Sequence, residues 1–259
     1  MIGVPKIGTR ANRGGGGGGA ELVLADLYVN LDASNASSYP GTGTTWFDLS
    51  GNSNDFTLYN GVSYSAAEGG QLVCDGVNDY MQATINETTA AFSAFAYVKC
   101  TDLTNGAFSG NYLQHAISRR PNTGFATSYY QLGFKISQAD WSTYNYSGQF
   151  LTMFSSSAFS AHENATAPLT YYEQNDEWVY LGFTTDGTNG GEVNLYFNGT
   201  RIVADTLTFD RNLANTATRL MAEGFGTNYA MEGSIRNVHM YTRKLSEAEV
   251  AQNYNAISL

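Results

Sequence analysis

The stretch Val193-Asn194-Leu195-Tyr196-Phe197-Asn198-Gly199-Thr200-Arg201-Ile202-Val203 constrains this chain more than any other. It joins two runs rich in β-branched and aromatic residues through Asn-Gly. Both central residues of a type I′ turn need positive φ, which Asn and Gly adopt most readily, so the register of a hairpin is set here. Val193, Leu195 and Phe197 are then expected to face a core. Upstream, Val179, Leu181 and Phe183 share a face of a strand that begins near Trp178, and Leu27, Val29 and Leu31 alternate with Tyr28 and Asn30. Gly41-Thr42-Gly43-Thr44, Ser50-Gly51 and Asn60-Gly61 punctuate the first part of the chain with turn chemistry that a helix would not tolerate. The result is a series of short strands.

One helix is expected, at the C-terminus. Ser246 and Glu249 have capping-box spacing, and Leu245 and Val250 occupy the positions of a hydrophobic staple. Leu245, Val250 and Tyr254 should pin this helix to the strands.

A chain of 259 residues suits one all-β sandwich, which often runs to about 200–250 residues, together with an arm. Hydrophobic residues make up 42%, and no stretch approaches the ~20 apolar residues of a membrane span. The N-terminus has no apolar signal core, so a soluble chain that is not exported by the usual signal route is expected. The net charge of −10 is unevenly spread: residues 1–20 carry Lys6, Arg10 and Arg13 and no acid, which leaves the rest of the chain at −13. An acidic body argues against a nucleic-acid surface. Cys74 and Cys100 form one disulfide or remain two buried thiols, and the second reading is preferred in so cysteine-poor a chain.

Residues 1–20 end in the glycines Gly14 to Gly19, which have no side chains to pack and much backbone entropy to lose. Two readings stand. In one, the segment is a loose tail. In the other it is an attachment arm, with Ile2, Val4, Pro5 and Ile7 docked in a partner's groove and Lys6, Arg10 and Arg13 meeting acidic side chains.

Trp46-Phe47-Asp48-Leu49-Ser50-Gly51-Asn52, Leu58-Tyr59-Asn60-Gly61, Leu72 through Tyr80, Trp178 leading to Leu195-Tyr196-Phe197-Asn198-Gly199, and Gly233 through Tyr254 follow one another in a telling order. In that order and spacing they resemble the laminin-G-like, concanavalin-A-like jelly-roll domain, over about residues 22–259. The resemblance implies an all-β, two-sheet antiparallel jelly-roll sandwich over residues 21–259, with a short C-terminal helix and an extended N-terminal arm, residues 1–20. Leu31-Asp32-Ala33-Ser34-Asn35 and Tyr39 through Trp46 resemble versions found in tailed-phage and marine viral virion proteins. This narrower likeness implies a virion structural protein, made in the host cytoplasm and displayed on the virion surface as a homo-oligomer. Its task would be adhesion to glycans or a host surface, with Ile2, Val4, Lys6, Arg10 and Arg13 anchoring it to other virion proteins. The alternative is a capsid or tail decoration protein that cements neighbouring subunits and has no glycan ligand.

Some members of the same superfamily are glycoside hydrolases, which place a nucleophile and an acid on one strand. No Glu-x-Asp-x-Glu run occurs here, and Glu173-Gln174-Asn175-Asp176-Glu177 reads as a solvated turn ahead of Trp178. His115, His162 and His239 lack metal-ligand spacing, and His239 reads as a satisfied surface or groove histidine. No Gly-x-Ser-x-Gly elbow or phosphate loop is present, so no catalytic residue is assigned and a hydrolase is the least favoured reading. Asp75, Asn78 and Asp79, and separately Asp186 and Asn189, are candidate calcium ligands, but such residues also build turns. The turn reading is preferred; no metal or other cofactor is assigned, with calcium the open option. Trp141, Tyr144 and Tyr146 stand among Ser142, Thr143 and Asn145, a composition suited to an exposed loop that binds pyranose rings. The same aromatics equally suit packing against a neighbouring subunit.

Overall fold

The computed structural model describes residues 20–87, 89–102, 107–108, 111–119, 130–137, 147–155, 162–170, 176–208, 210, 216–223 and 230–257. Among these, the first strands are β1 (Leu27–Asp32), β2 (Thr45–Trp46), β3 (Phe56–Tyr59), β4 (Ser63–Ser65), β5 (Gln71–Asp75) and β6 (Tyr80–Ile85). There follow β7 (Phe92–Cys100), β8 (Ala107–Phe108), β9 (Asn111–Arg119), β10 (Tyr130–Ser137), β11 (Ser147–Ser155) and β12 (His162–Thr170). The last are β13 (Trp178–Thr185), β14 (Glu192–Phe197), β15 (Thr200–Thr206), β16 (Thr216–Leu220) and β17 (Glu232–Tyr241), before helix α1 (Glu247–Ala256). Ile2, Val4, Lys6, Arg10 and Arg13 lie outside the described residues.

The strands form two antiparallel sheets. The first runs β15, β14, β13, β7, β17, β5, β4 in space, with β1 also paired to β17; the second runs β12, β11, β10, β9, β16, β6, β3, β2, with β8 beside β9. Alternation puts Phe92, Ala94, Ala96 and Val98 of β7 and Val179, Leu181 and Phe183 of β13 into a core shared with Met81, Ile117, Leu132 and Leu220 of the second sheet. Val193 and Leu195 are buried in that core and the half-buried Phe197 packs against it, as the hairpin pattern requires. The turn itself has Asn198 at φ 49° and Gly199 at φ 79°, both positive as a type I′ turn demands.

The opposite face of the first sheet has a second core. Phe95, Tyr97, Tyr180, Tyr196 and Tyr241 pack there against Leu245, Val250 and Ile257, with Trp178 and Tyr254 at its margin. Helix α1 and the residues just before β1 therefore cover this face. Asn253 ties the two together, accepting from the Val23 N–H at 2.9 Å and donating to the Tyr241 hydroxyl at 2.9 Å. His239 lies beneath this cover at 2% exposure, its Nδ1 3.0 Å from the Tyr180 hydroxyl, so the surface or groove reading of this histidine is corrected. Burial holds its imidazole down at a pKa of about 4.

Cys74 and Cys100 are free and buried. They face Gly233 from opposite sides of β17, two strand spacings of about 4.8 Å apart, beyond the span of a disulfide. The Cys100 thiol instead donates to Gln114 Oε1 at 2.8 Å.

The capping box of α1 is formed: Ser246 Oγ accepts from the Glu249 N–H, and Glu249 Oε2 accepts from the Ser246 N–H at 2.9 Å. Arg243 adds a bidentate pair to the same carboxylate, at 2.9 and 2.6 Å. That pair, ahead of the Ser246 bonds, lowers the Glu249 pKa from 4.5 to about 2. A depressed carboxylate stabilises the fold fully above its unfolded pKa and loses that contribution as pH falls through its folded one. Glu249→Gln is therefore expected to lower stability by about 1 kcal/mol at pH 7. The gap from the parent protein should narrow steadily between about pH 4.5 and 2, measured by urea unfolding across that range.

Candidate functional site

Helix α1 covers one end of the outer face of the first sheet, and the other end stays open. There Trp178, the first residue of β13, sits opposite Lys99 on β7, which in turn sits opposite Ser234 on β17. The register of β17 shifts between Ile235 and Asn237, so Arg236 is the extra residue of a β-bulge. A bulge re-aims a side chain. The Arg236 guanidinium lies 4.6 Å from the centre of the Trp178 ring, and the indole also stacks on Tyr97 at 5.0 Å with planes 26° apart.

A tight turn between β4 and β5 closes the site. Glu68 takes the left-handed conformation, at φ 53°, which is uncommon for a residue with a Cβ, and Gly69 and Gly70 continue it at φ 98° and 113°. Arg236 holds the turn in place: Nε donates to the Gly70 carbonyl at 3.1 Å and Nη2 to the Glu68 carbonyl. The Glu68 side chain then reaches the indole. Its Oε2 accepts from Trp178 Nε1 at 2.6 Å and from Lys99 Nζ at 3.1 Å, and Lys99 also lies 3.7 Å from Asp176. The indole hydrogen bond first, and Lys99 with it, pull the Glu68 carboxyl below its ordinary pKa against the opposing effect of burial.

These residues line an open cleft of about 450 Å³ formed by Glu68, Gly69, Trp178 and Arg236. That volume lies within the range of about 300–1,000 Å³ typical of small-molecule sites. Its equipment is an aromatic ring, a fixed carboxylate and a fixed guanidinium. Such a set can hold a hydroxyl-bearing ligand by hydrogen bonding beside an aromatic ring.

Trp141, Tyr144 and Tyr146, the aromatic cluster expected to bind carbohydrate, lie outside the described residues, as do Glu173 and Asn175. Asp176 and Glu177 are exposed, as a solvated turn requires. Asp75, Asn78 and Asp79 build a turn: Asp75 Oδ1 accepts from the Val77 N–H at 2.8 Å and Asp79 Oδ2 from the Asp75 N–H at 3.1 Å. Asp186 is engaged by Lys244 at 2.8 Å and by the Glu192 N–H at 2.9 Å. Asn189 donates its N–H to Asp210. Among the described residues no three His, Cys, Asp or Glu side chains converge as a metal would require. No helix among them is long and apolar enough to cross a membrane.

In the sequence Trp178 and Arg236 stand as landmarks of the fold, and nothing beside them marks a site. The signal available was an acidic residue followed by a glycine pair, Glu68-Gly69-Gly70, a turn that only an unusual backbone would need.

Solved structures similar to this chain include the binding domain of Paraclostridial Mosquitocidal Protein 1, at 17% identity and a TM-score of 0.63, covering 89% of this chain and 52% of that one. The botulinum neurotoxin type G receptor binding domain matches at 15% identity and a TM-score of 0.59, covering 89% and 51%. The binding domain of botulinum neurotoxin DC, solved in complex with SialylT, matches at 11% identity and a TM-score of 0.60, covering 90% and 52%. The chain thus spans about half the length of these structures, and at such identities the likeness is one of fold. No curated protein matches it in sequence. The family model Laminin_G_3 matches residues 75–251, more than half of the chain, and with two packed antiparallel sheets and a closing helix the protein belongs to this family of the concanavalin A-like lectin/glucanases superfamily.

Proposed function

We propose that this protein is a non-enzymatic adhesion module that binds glycans or another host-surface ligand through the Trp178 cleft. The observation that carries this reading is the cleft itself: an aromatic ring, a carboxylate and a guanidinium held together on the one end of the sheet face that α1 leaves uncovered. Receptor-binding and binding domains among the similar structures support it, one of them solved with SialylT. The two nearby carboxylates do not suit hydrolysis. A general acid needs a raised pKa, whereas Glu68 is held low and shares Lys99 with Asp176.

In the fuller form of this reading, residues 21–259 are the sandwich, displayed as a homo-oligomer on the surface of a virion. Residues 1–20 anchor it to other virion proteins through Ile2, Val4, Lys6, Arg10 and Arg13. Support comes from the basic, glycine-rich arm joined to an acidic body. Deleting residues 1–20 should abolish incorporation into particles while leaving ligand binding intact; particles that still carry the truncated protein would refute the anchoring role.

A second reading, decoration or cement without a glycan ligand, is favoured by a different surface. On the second sheet the exposed Tyr59 stacks on Tyr80 at 4.7 Å, and the Arg219 guanidinium lies 4.1 Å over the Tyr80 ring. Tyr and Arg are favoured at protein interfaces. Trp178→Ala separates the two readings. It removes the ring that both Arg236 and Glu68 contact, so binding to host cells or to a glycan array should fall at least about tenfold, the loss of roughly 1.4 kcal/mol or more. Unchanged binding would move the function to the Tyr59 and Tyr80 surface.

A further inference from the structure

We infer that the Trp178 cleft takes a neutral hexopyranose through a pair of neighbouring hydroxyls, and discriminates against sialic and uronic acids. This rests on the adhesion reading and narrows its ligand. Three features of the cleft carry it.

First, the cleft presents one unused acceptor and one unused donor. Glu68 spends Oε2 on both Trp178 and Lys99, and among the described residues nothing donates to Oε1. Arg236 spends Nε and Nη2 on the carbonyls of Gly70 and Glu68, and among the described residues nothing accepts from Nη1, which stays accessible at the cleft it lines. A hydroxyl is both donor and acceptor, so two adjacent ring hydroxyls satisfy the pair, one giving to Glu68 Oε1 and the next receiving from Arg236 Nη1.

Second, the charge that faces solvent at the mouth is acidic. The Glu68 and Asp176 side chains are 48% and 69% exposed, whereas that of their cationic partner Lys99 is 14% exposed and Arg236 is buried. An approaching carboxylate meets two like charges on a body that is itself strongly acidic.

Third, a cationic ligand meets Arg236 where it would need the ring. The guanidinium already occupies the cation–π position, 4.6 Å from the indole centre. Amines are thereby disfavoured as well, and neutral sugar remains.

Calorimetric titration of the full chain with lactose, maltose and cellobiose, beside 3′-sialyllactose and glucosamine, tests this. At least one neutral disaccharide should bind, and 3′-sialyllactose should bind at least about tenfold more weakly than lactose. Glu68→Gln, a substitution at a half-exposed position, should weaken neutral-sugar binding about tenfold and narrow the gap to 3′-sialyllactose. Preference for 3′-sialyllactose or glucosamine, lost in Trp178→Ala, would overturn the neutral-sugar inference and leave the adhesion reading standing. Equal binding by the parent protein and by Trp178→Ala with a native melting profile would overturn the assignment of this cleft. Silence toward every sugar would overturn the neutral-sugar inference, and loss of host-cell binding in Trp178→Ala would then still carry the adhesion reading.

Discussion

Gly233→Ala is expected to lower stability by about 4 kcal/mol or more, enough to leave much of the chain unfolded when native stabilities run to about 5–15 kcal/mol. Gly233 sits on β17 opposite Cys74 of β5 on one side and Cys100 of β7 on the other, with φ at 148°. A Cβ built there would lie 2.0 Å from the Lys99 carbonyl oxygen and 3.0 Å from the Cys100 Cα. Both are backbone atoms of a strand that β13 holds from its far side, so no flexible side-chain end can give way. Relief requires β17 to move off β7, breaking ladder hydrogen bonds beside the cleft. Gly43→Ala is the control, since φ there is 96° but nothing lies within 4 Å of the added carbon. It should cost only the local strain of a left-handed alanine, about 1–2 kcal/mol. Urea midpoints of the two variants decide the matter: a Gly233→Ala protein within about 1 kcal/mol of the parent would mean that β17 is free to shift.

The contrast between these two glycines also marks what a sequence shows and what it does not. Asn198-Gly199, the Ser246 and Glu249 cap, and the alternation in β1, β13 and β14 are set by residues within a few positions of one another, and each was legible. Every part of the cleft depends on neighbours that are remote in the chain. Lys99 meets Trp178 because β7 lies beside β13, and Arg236 reaches the indole because a bulge displaces it from the register of its strand. Nothing local announces a bulge without a glycine at its centre. The burial of His239 is hidden from the sequence for a related reason. Alternation marks the two faces of β17, but only α1, packed over the outer face, makes both of them interior.

The second large effect belongs to the opposite sheet. Glu87 and Arg119 form an ion pair with both side chains fully buried, where Arg119 Nη2 donates to the Ile85 carbonyl at 3.0 Å and the Tyr130 hydroxyl donates to Glu87 at 3.2 Å. The ends of β6, β9 and β10 thus meet on one buried ion pair. Two charges taken out of water gain little over a well-packed apolar pair, but each depends on the other. Glu87→Ala strands the guanidinium of Arg119 in the interior without its carboxylate and should cost about 3–5 kcal/mol. Glu87→Leu combined with Arg119→Met, which removes both charges at similar volume, should return most of that loss, and the comparison by urea unfolding isolates the stranded charge from the cavity. The Trp178 cleft lies on the outer face of the other sheet. Whatever fraction of Glu87→Ala remains folded should therefore keep the parent's affinity for any ligand of the Trp178 cleft, because the change acts on how many molecules are native and not on the shape of the site. Weaker affinity in that folded fraction would instead show that the packing between the sheets sets the position of Trp178, and the cleft would then be a property of the whole sandwich.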